Sequence, residues 1–389
     1  MILPLAFATA LLMGGLAPAA AVPAVPASDD VVLERLPEAR DPPILALKRS
    51  RALLRAAPQD LRIATAHARR AIDAARATGD PRYLGQAQAA LAPWWSAADA
   101  PAPALLLRAT IKQSQHDFDG ALADLDRLLE RAPADVQARL TRATVLGVVG
   151  RHDGARADCE RLAGAVPPLV AIACSASIDG VTSRAAAAEA ALVTALARDA
   201  GSPAVRVWAL TIAGEIAARR GDVAGAEARF RDALALDPAD AYLLGAFADL
   251  MIDAGRAAEA VRLLDLHRRH DALLLRLVIA QARLGAPPGR HAADRAELAA
   301  RFEATRRRGD TVHRREEARY ALALEGDAAR AVGLARANFA VQKEPSDLRV
   351  LVEAARAADD ARALATAQEW LASTGLRDAR LDLAGGSRS

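Results

Sequence analysis

The sequence has 389 residues, and its 51 Lys and Arg residues nearly balance 48 Asp and Glu residues, for a net charge of +3. This balance lacks the strong basic excess of nucleic-acid-binding domains, so we expect no nucleic-acid partner. Apolar residues make up 52% of the chain and aromatic residues only 3%, and the alternating Val, Ile, Thr and aromatic runs typical of strands are missing. These features favour an all-α fold.

Residues 1–27 have the pattern of a secretory signal peptide. An apolar run ends near Leu16 and small residues follow, which places cleavage after residue 21 or 27. No Lys or Arg precedes the apolar run, and the alternative is an uncleaved anchor, although the run is short for a membrane span. We expect export to a bacterial periplasm, with no membrane span after cleavage. If the segment is not a signal, the protein is cytoplasmic.

Residues 28–57 are predicted to be a proline-rich linker followed by a short basic helix that starts at Ile44. A helical hairpin is expected next, over residues 61–91. Its turn, Gly79-Asp80-Pro81, offers a helix-ending glycine and residues suited to begin a helix.

The clearest pattern lies in residues 207–240. Gly221 can end one helix in the left-handed conformation, and Asp222 can cap the next. Small residues at Gly214 and Ala226 allow the two helices to approach closely. The residues that share the predicted apolar stripe are Leu210, Phe230, Leu234 and Leu236.

This pattern recurs with a period of 34 residues. Pro133 and Pro167 are separated by that interval, and the same holds for Ala226 and Ala260. The stretch 207–240 resembles a tetratricopeptide repeat, with family positions at Leu210, Ala213, Gly214, Ala217, Ala226, Phe230 and Pro238.

The resemblance implies an α-solenoid of antiparallel helix hairpins, stacked in a right-handed superhelix over residues 58–378. The best repeats are 102–135, 136–169, 207–240 and 241–274. Residues 379–389 are predicted to be a disordered tail.

Family resemblance also implies that set positions on the first helix of each repeat line a concave groove. The predicted groove residues are Trp208, Glu215, Arg219, Tyr242, Asp249, Asp253 and Arg283. Trp208 and Tyr242 are the candidate aromatic anchors for a peptide or protein partner, because aromatic side chains are common binding hot spots. The alternative is that either ring fills a seam between repeats.

Cys159 and Cys174 are the only cysteines. The repeat pattern puts them on helices that pack together, so export would favour a disulfide, whereas two buried thiols are the alternative.

No catalytic motif, metal-binding spacing or nucleotide-binding loop is present, so we expect no enzyme activity, cofactor or metal. The sequence therefore predicts a non-catalytic adaptor or scaffold of the cell envelope. One alternative is an accessory subunit of an envelope assembly or secretion machine. Others are a cytoplasmic regulator and an enzyme subunit with a site near His116 and His152.

Overall fold

The computed structural model describes Ser28 and residues 42–199, 201–285 and 289–381. The predicted signal peptide and nearly all of the linker before residue 42 lie outside the described residues. The chain divides into two units, Met1–Asp41 and Pro42–Ser389, and everything below concerns the second. No strand occurs in the described part.

The described residues form twenty α-helices, joined mostly by short turns, and successive helices pack as antiparallel hairpins in an α-solenoid. The α-helices are α1 Pro42–Ala56, α2 Leu61–Thr78, α3 Arg82–Ala90, α4 Ala92–Trp95, α5 Ala102–Ser114, α6 Phe118–Arg131, α7 Val136–Val148, α8 His152–Glu160, α9 Pro168–Asp179, α10 Ala185–Arg198, α11 Pro203–Arg219, α12 Val223–Leu236, α13 Ala241–Asp253, α14 Ala257–Leu264, α15 Asp271–Arg283, α16 Arg290–Arg307, α17 Arg314–Tyr320, α18 Ala328–Phe339, α19 Pro345–Ala357 and α20 Ala361–Thr374. A π-helical turn, Ala321–Glu325, follows α17, and a 3₁₀ turn, Ala379–Leu381, follows α20.

The hairpin of α11 and α12 shows how the sequence builds a repeat. Gly221 adopts a φ of 82°, and the side chain of Asp222 accepts a hydrogen bond from the Gly225 N–H at 2.9 Å. Gly214 faces the ring of Phe230 so closely that a Cβ atom there would lie 2.5 Å from Phe230 Cε1. The glycine is thus needed for the close approach of the two helices.

Leu236 departs from the predicted apolar stripe and is 41% exposed. It follows Leu234 by two residues, which turns a helix by about 200° and places the side chain on the opposite face. Leu234 packs against the core with Phe230.

Buried Arg–Asp pairs recur at the repeat period within the hairpins. Arg108 Nε donates to Asp124 at 2.7 Å, and Arg142 Nε donates to Asp158 at 2.7 Å. Asp124 and Asp158 are almost fully buried. The two pairs lie at equivalent positions of consecutive repeats and tie the first helix of each hairpin to its second.

The C-terminal hairpins contact turns of the N-terminal half along a line that we call the closing seam. Lys343 N–H donates to Val148 C=O at 2.7 Å, and Ser183 N–H donates to Thr374 C=O at 3.1 Å. Trp370 covers Gly150, where a Cβ atom would lie 2.3 Å from the indole. Hairpins distant in sequence therefore share an interface.

Two boundaries differ from the sequence prediction. The first described helix begins at Pro42 rather than Ile44, which suits proline because its missing N–H is not needed in the first turn of a helix. The predicted tail begins too early, since Ala379–Leu381 form a 3₁₀ turn and Leu381 is buried. Leu381 packs in the apolar cluster of the last hairpins, which holds this turn in place. Residues 382–389 lie outside the described residues.

Within the described part of the chain, no helix is both long and apolar enough to cross a membrane.

Candidate functional site

The predicted groove residues lie on α11, α13 and α15, the first helices of three successive hairpins. Tyr242 is the most exposed aromatic anchor, with 62% of its surface accessible. Its hydroxyl donates to Glu215 at 2.6 Å, across the boundary between two repeats. The negative charge of Glu215, and then partial desolvation of the hydroxyl group by the surrounding helices, raises the pKa of Tyr242 well above its ordinary value. Tyr242 therefore remains a neutral ring held in place at one end.

Asp249 lies about two helical turns beyond Tyr242 on α13, between two guanidinium groups. Arg276 Nε donates to one carboxylate oxygen at 2.9 Å, and Arg319 Nη2 donates to the other at 2.6 Å. Burial alone would raise the pKa of Asp249, but Arg276 and Arg319 hold it below its ordinary value. Asp249 is thus a charged, fully paired group rather than a free contact for a partner.

Asp253, at the end of α13, is paired in the same way. Arg349 of α19 donates to its two oxygens at 2.5 and 2.7 Å, although the residues are 96 positions apart. Both side chains are more than four-fifths buried. Ion pairs therefore link α13, in the middle of the chain, to α17 and α19 near its end.

Trp208 does not join Tyr242 in the groove as an exposed anchor. It is partly buried and packs against two apolar clusters, one built on α5 to α9 and one on α9 to α11. This corresponds to the seam-filling alternative. The ring stabilises the contact between neighbouring hairpins, because a large aromatic side chain buries much apolar area.

Arg219 and Arg283 make backbone contacts. Arg219 is 8% exposed, and its Nη2 donates to Gly180 C=O at 3.2 Å. Arg283 is exposed, and its Nη1 donates to Ile252 C=O at 2.7 Å. Arg283 therefore lies beside the C-terminal end of α13, whereas Tyr242 lies at its N-terminal end.

A family model described as tetratricopeptide repeat matches residues 217–284. These residues run from the end of α11 to the end of α15 and include Tyr242, Asp249 and Asp253. This segment of the chain consists of tetratricopeptide repeats.

Several solved structures align with this chain at low sequence identity. A tetratricopeptide repeat protein from Parabacteroides merdae is 16% identical, with 74% of this chain and 98% of that chain covered and a TM-score of 0.37. The human IFIT1 dimer with m7Gppp-AAAA is 12% identical, with 85% of each chain covered and a TM-score of 0.43. Yeast Tom70 is 10% identical, with 85% of this chain and 84% of that chain covered and a TM-score of 0.26. No curated protein matches the sequence.

A tetratricopeptide-repeat solenoid is in general a scaffold for protein–protein interaction, because its stacked first helices form an extended concave surface. In this repeat protein a second charged cluster, which the sequence pattern did not predict, surrounds Arg315. Arg315 donates to Glu344 and Asp347, each at 3.2 Å, and to the Ser346 hydroxyl at 2.8 Å. The repeat pattern decays after residue 274, so the sequence did not show which repeat positions these residues occupy.

Within this cluster Glu344 and Asp347 share one arginine. Burial, opposed by Arg315 and aided by the neighbouring Asp347 carboxylate, raises the pKa of Glu344 to about 7. Asp347 also receives a hydrogen bond from Asn338 Nδ2 at 2.8 Å and from the Glu344 N–H at 3.0 Å. The carboxylates on this part of the surface are therefore satisfied from within the chain.

The repeat protein contains a disulfide between Cys159 at the end of α8 and Cys174 of α9, with Cα atoms 5.5 Å apart. This separation lies in the ordinary range for disulfides. Both cysteines are buried in the same apolar cluster. The bond closes a 15-residue interval and fixes one hairpin to the next.

The histidines considered for an enzymatic site are packing groups. His116 stacks on Phe118 with ring centroids 5.3 Å apart. The ring centroids of His152 and Trp370 are 5.8 Å apart. Among the described residues, no group of three or more His, Cys, Asp or Glu side chains could hold a metal ion.

Proposed function

We propose that this tetratricopeptide-repeat protein is a non-catalytic scaffold of the bacterial cell envelope that binds a peptide or protein segment on its concave surface at Tyr242. The observation that carries the proposal is the exposure of Tyr242, 62% accessible in the middle of the first-helix row. Large apolar side chains at such positions are ordinarily buried, so an exposed ring on a concave surface favours a partner contact.

The neighbours of Tyr242 define the chemistry of that contact. Its hydroxyl is held by Glu215, while Asp249 and Asp253 are neutralised by arginines of the same chain. A partner that relied on charge would have to displace these ion pairs. The surface favours a segment that lays an apolar or aromatic side chain on the Tyr242 ring.

Two features support export. Residues 1–27 have the apolar run and small-residue cleavage pattern of a signal peptide. The disulfide between Cys159 and Cys174 is of a kind that persists in oxidising compartments such as the periplasm.

Binding is tested by placing a photo-crosslinking amino acid at position 242 and irradiating the protein in cells of its source. The matched control places the same amino acid at Leu266, which is 90% exposed but lies in the turn between α14 and α15. The proposal expects a discrete crosslinked adduct from position 242 and none from position 266. Excess unlabelled wild-type protein should abolish this adduct by competition, whereas excess Tyr242→Ala protein should not. Equal adducts from both positions, or equal competition by both proteins, would contradict it.

Export is tested by an intact-mass measurement on protein expressed with its native N-terminus. A mass that lacks about the first 21 or 27 residues, recovered from the periplasmic fraction, supports the proposal. A full-length mass in the cytoplasmic fraction, with both thiols free to react, argues for a cytoplasmic scaffold instead.

A further inference from the structure

A second concave feature lies away from Tyr242, where the end of α11 meets the segment after α20. It is a pocket of about 480 Å³ lined by Arg219, Arg220, Arg377, Asp378 and Ala379. The two lining segments come together along the closing seam, where Gly221 faces the Ala379 side chain. The pocket therefore forms only when the two distant segments fold together.

Arg219 is the unusual member of this pocket. It is more than nine-tenths buried, and its Nε has no hydrogen-bond partner in the described part of the chain. Its one hydrogen bond runs from Nη2 to a carbonyl oxygen, that of Gly180, so no carboxylate of the described chain pairs with it. Burial lowers the pKa of Arg219, although the charges of Glu215 and Asp378 oppose this shift without bonding to the guanidinium. A buried guanidinium with no directly bonded carboxylate is costly, and an anion in contact with it would relieve that cost.

Of the other charged side chains of the pocket, two form ion pairs with described residues and one does not. Arg220 pairs with Glu189, and Asp378 pairs with Arg380 through bonds of 2.5 and 2.7 Å. Arg377 is exposed and has no ion pair or hydrogen bond to the described part of the chain. Two guanidinium groups, those of Arg219 and Arg377, are thus left without a negative partner at one pocket.

We propose that this pocket binds a dianionic phosphate group, either free phosphate or the phosphate of a small monoester, between Arg219 and Arg377. Two unpaired positive charges match a dianion better than a single carboxylate, and guanidinium groups suit phosphate through their several planar donors. The pocket volume admits a phosphate group with a small organic substituent. The proposal does not depend on partner binding at Tyr242.

Isothermal titration of the full chain at constant ionic strength and a pH of about 8, above the second pKa of a phosphate ester, tests the proposal. The probes are inorganic phosphate, glycerol 3-phosphate and acetate. The variants are Arg219→Gln and Arg377→Gln, and the matched control is Arg161→Gln, which removes an exposed arginine outside the pocket. Circular dichroism confirms that each variant is folded.

We expect saturable phosphate binding to wild type and Arg161→Gln, roughly tenfold or more weaker in Arg377→Gln and in Arg219→Gln. Tighter binding of glycerol 3-phosphate than of inorganic phosphate identifies a monoester ligand, and the reverse identifies free phosphate. Since Arg377 is exposed, its variant keeps the test valid if Arg219→Gln does not fold. Acetate binding as tight as phosphate, no phosphate binding to wild type, or undiminished binding in Arg377→Gln would overturn the proposal.

Discussion

The guanidinium of Arg349 donates two hydrogen bonds to the carboxylate of Asp253, across 96 positions of sequence. This pair fastens α19 to the last turn of α13. Arg319 makes a similar link to Asp249, 70 positions away. In a simple solenoid each repeat contacts only its neighbours. Here the closing seam and these ion pairs couple distant repeats, so the C-terminal hairpins should unfold together with the middle of the chain.

The Arg349–Asp253 pair should show measurable coupling. In a double-mutant cycle of Arg349→Met and Asp253→Ala, we expect a coupling energy of about 1–3 kcal/mol, because both side chains are mostly buried. The exposed pair Arg307–Glu303 within α16 is the control and should give a much weaker coupling, because solvent screens it. Urea unfolding measures both. Equal coupling in the two pairs would show that the link between α13 and α19 stabilises the fold no more than an exposed ion pair does.

Gly214 should not tolerate a methyl group. Gly214→Ala places a Cβ atom 2.5 Å from Phe230, and we expect a loss of about 1–3 kcal/mol in the free energy of unfolding by overpacking. Gly333 of α18 has no atom within 4 Å of the corresponding position. Gly333→Ala should therefore stabilise by about 0.5–1 kcal/mol through helix propensity alone. Denaturant unfolding that gives both variants the same sign would contradict the close helix approach at Gly214.

Loss of the disulfide should destabilise the chain. For the 15-residue interval, the chain-entropy model gives about 3 kcal/mol. We expect reductant to lower the melting temperature of wild type, and we expect the Cys159→Ala, Cys174→Ala double variant to melt low with or without reductant. If reductant lowered the melting temperature of both proteins equally, its effect would not come from this bond.

His152 makes the closing seam sensitive to acid. Burial, and then the charge of Arg156, lowers the pKa of His152 below its ordinary value of 6.5, while Asp153 and Asp179 act in the opposite direction. The folded state therefore disfavours a proton that the unfolded chain accepts. The stability due to neutral His152 is complete above pH 6.5 and is lost as the pH falls from 6.5 through the lower pKa of the folded state.

Glu344 acts in the opposite sense, because its pKa is raised to about 7 and its stabilising protonated form is lost as the pH rises. The His152 effect is isolated by comparison with His152→Gln. Below pH 6.5 the melting temperature of wild type should fall more steeply than that of the variant. Parallel curves would mean that His152 takes up a proton in the folded state as readily as in the unfolded chain.

The sequence by itself determined the repeating unit of this protein. Helix ends depend on contacts within a few residues, so Gly221 and Asp222 mark the turn wherever they occur. The 34-residue period and the small residue at Gly214 likewise fixed the hairpin and its stacking, because each hairpin can bury its apolar face only against the next.

The tertiary structure alone decided what the groove residues do. The sequence pattern predicted that Asp249 and Asp253 contact a binding partner. In the structure they pair with Arg319 and Arg349, which lie where the 34-residue repeat pattern is no longer recognisable. Trp208 and Tyr242 occupy equivalent positions, yet one is packed in a seam and the other is exposed. The curvature that brings distant hairpins together is a sum of small rotations at every repeat interface, and no local pattern in the sequence encodes that sum.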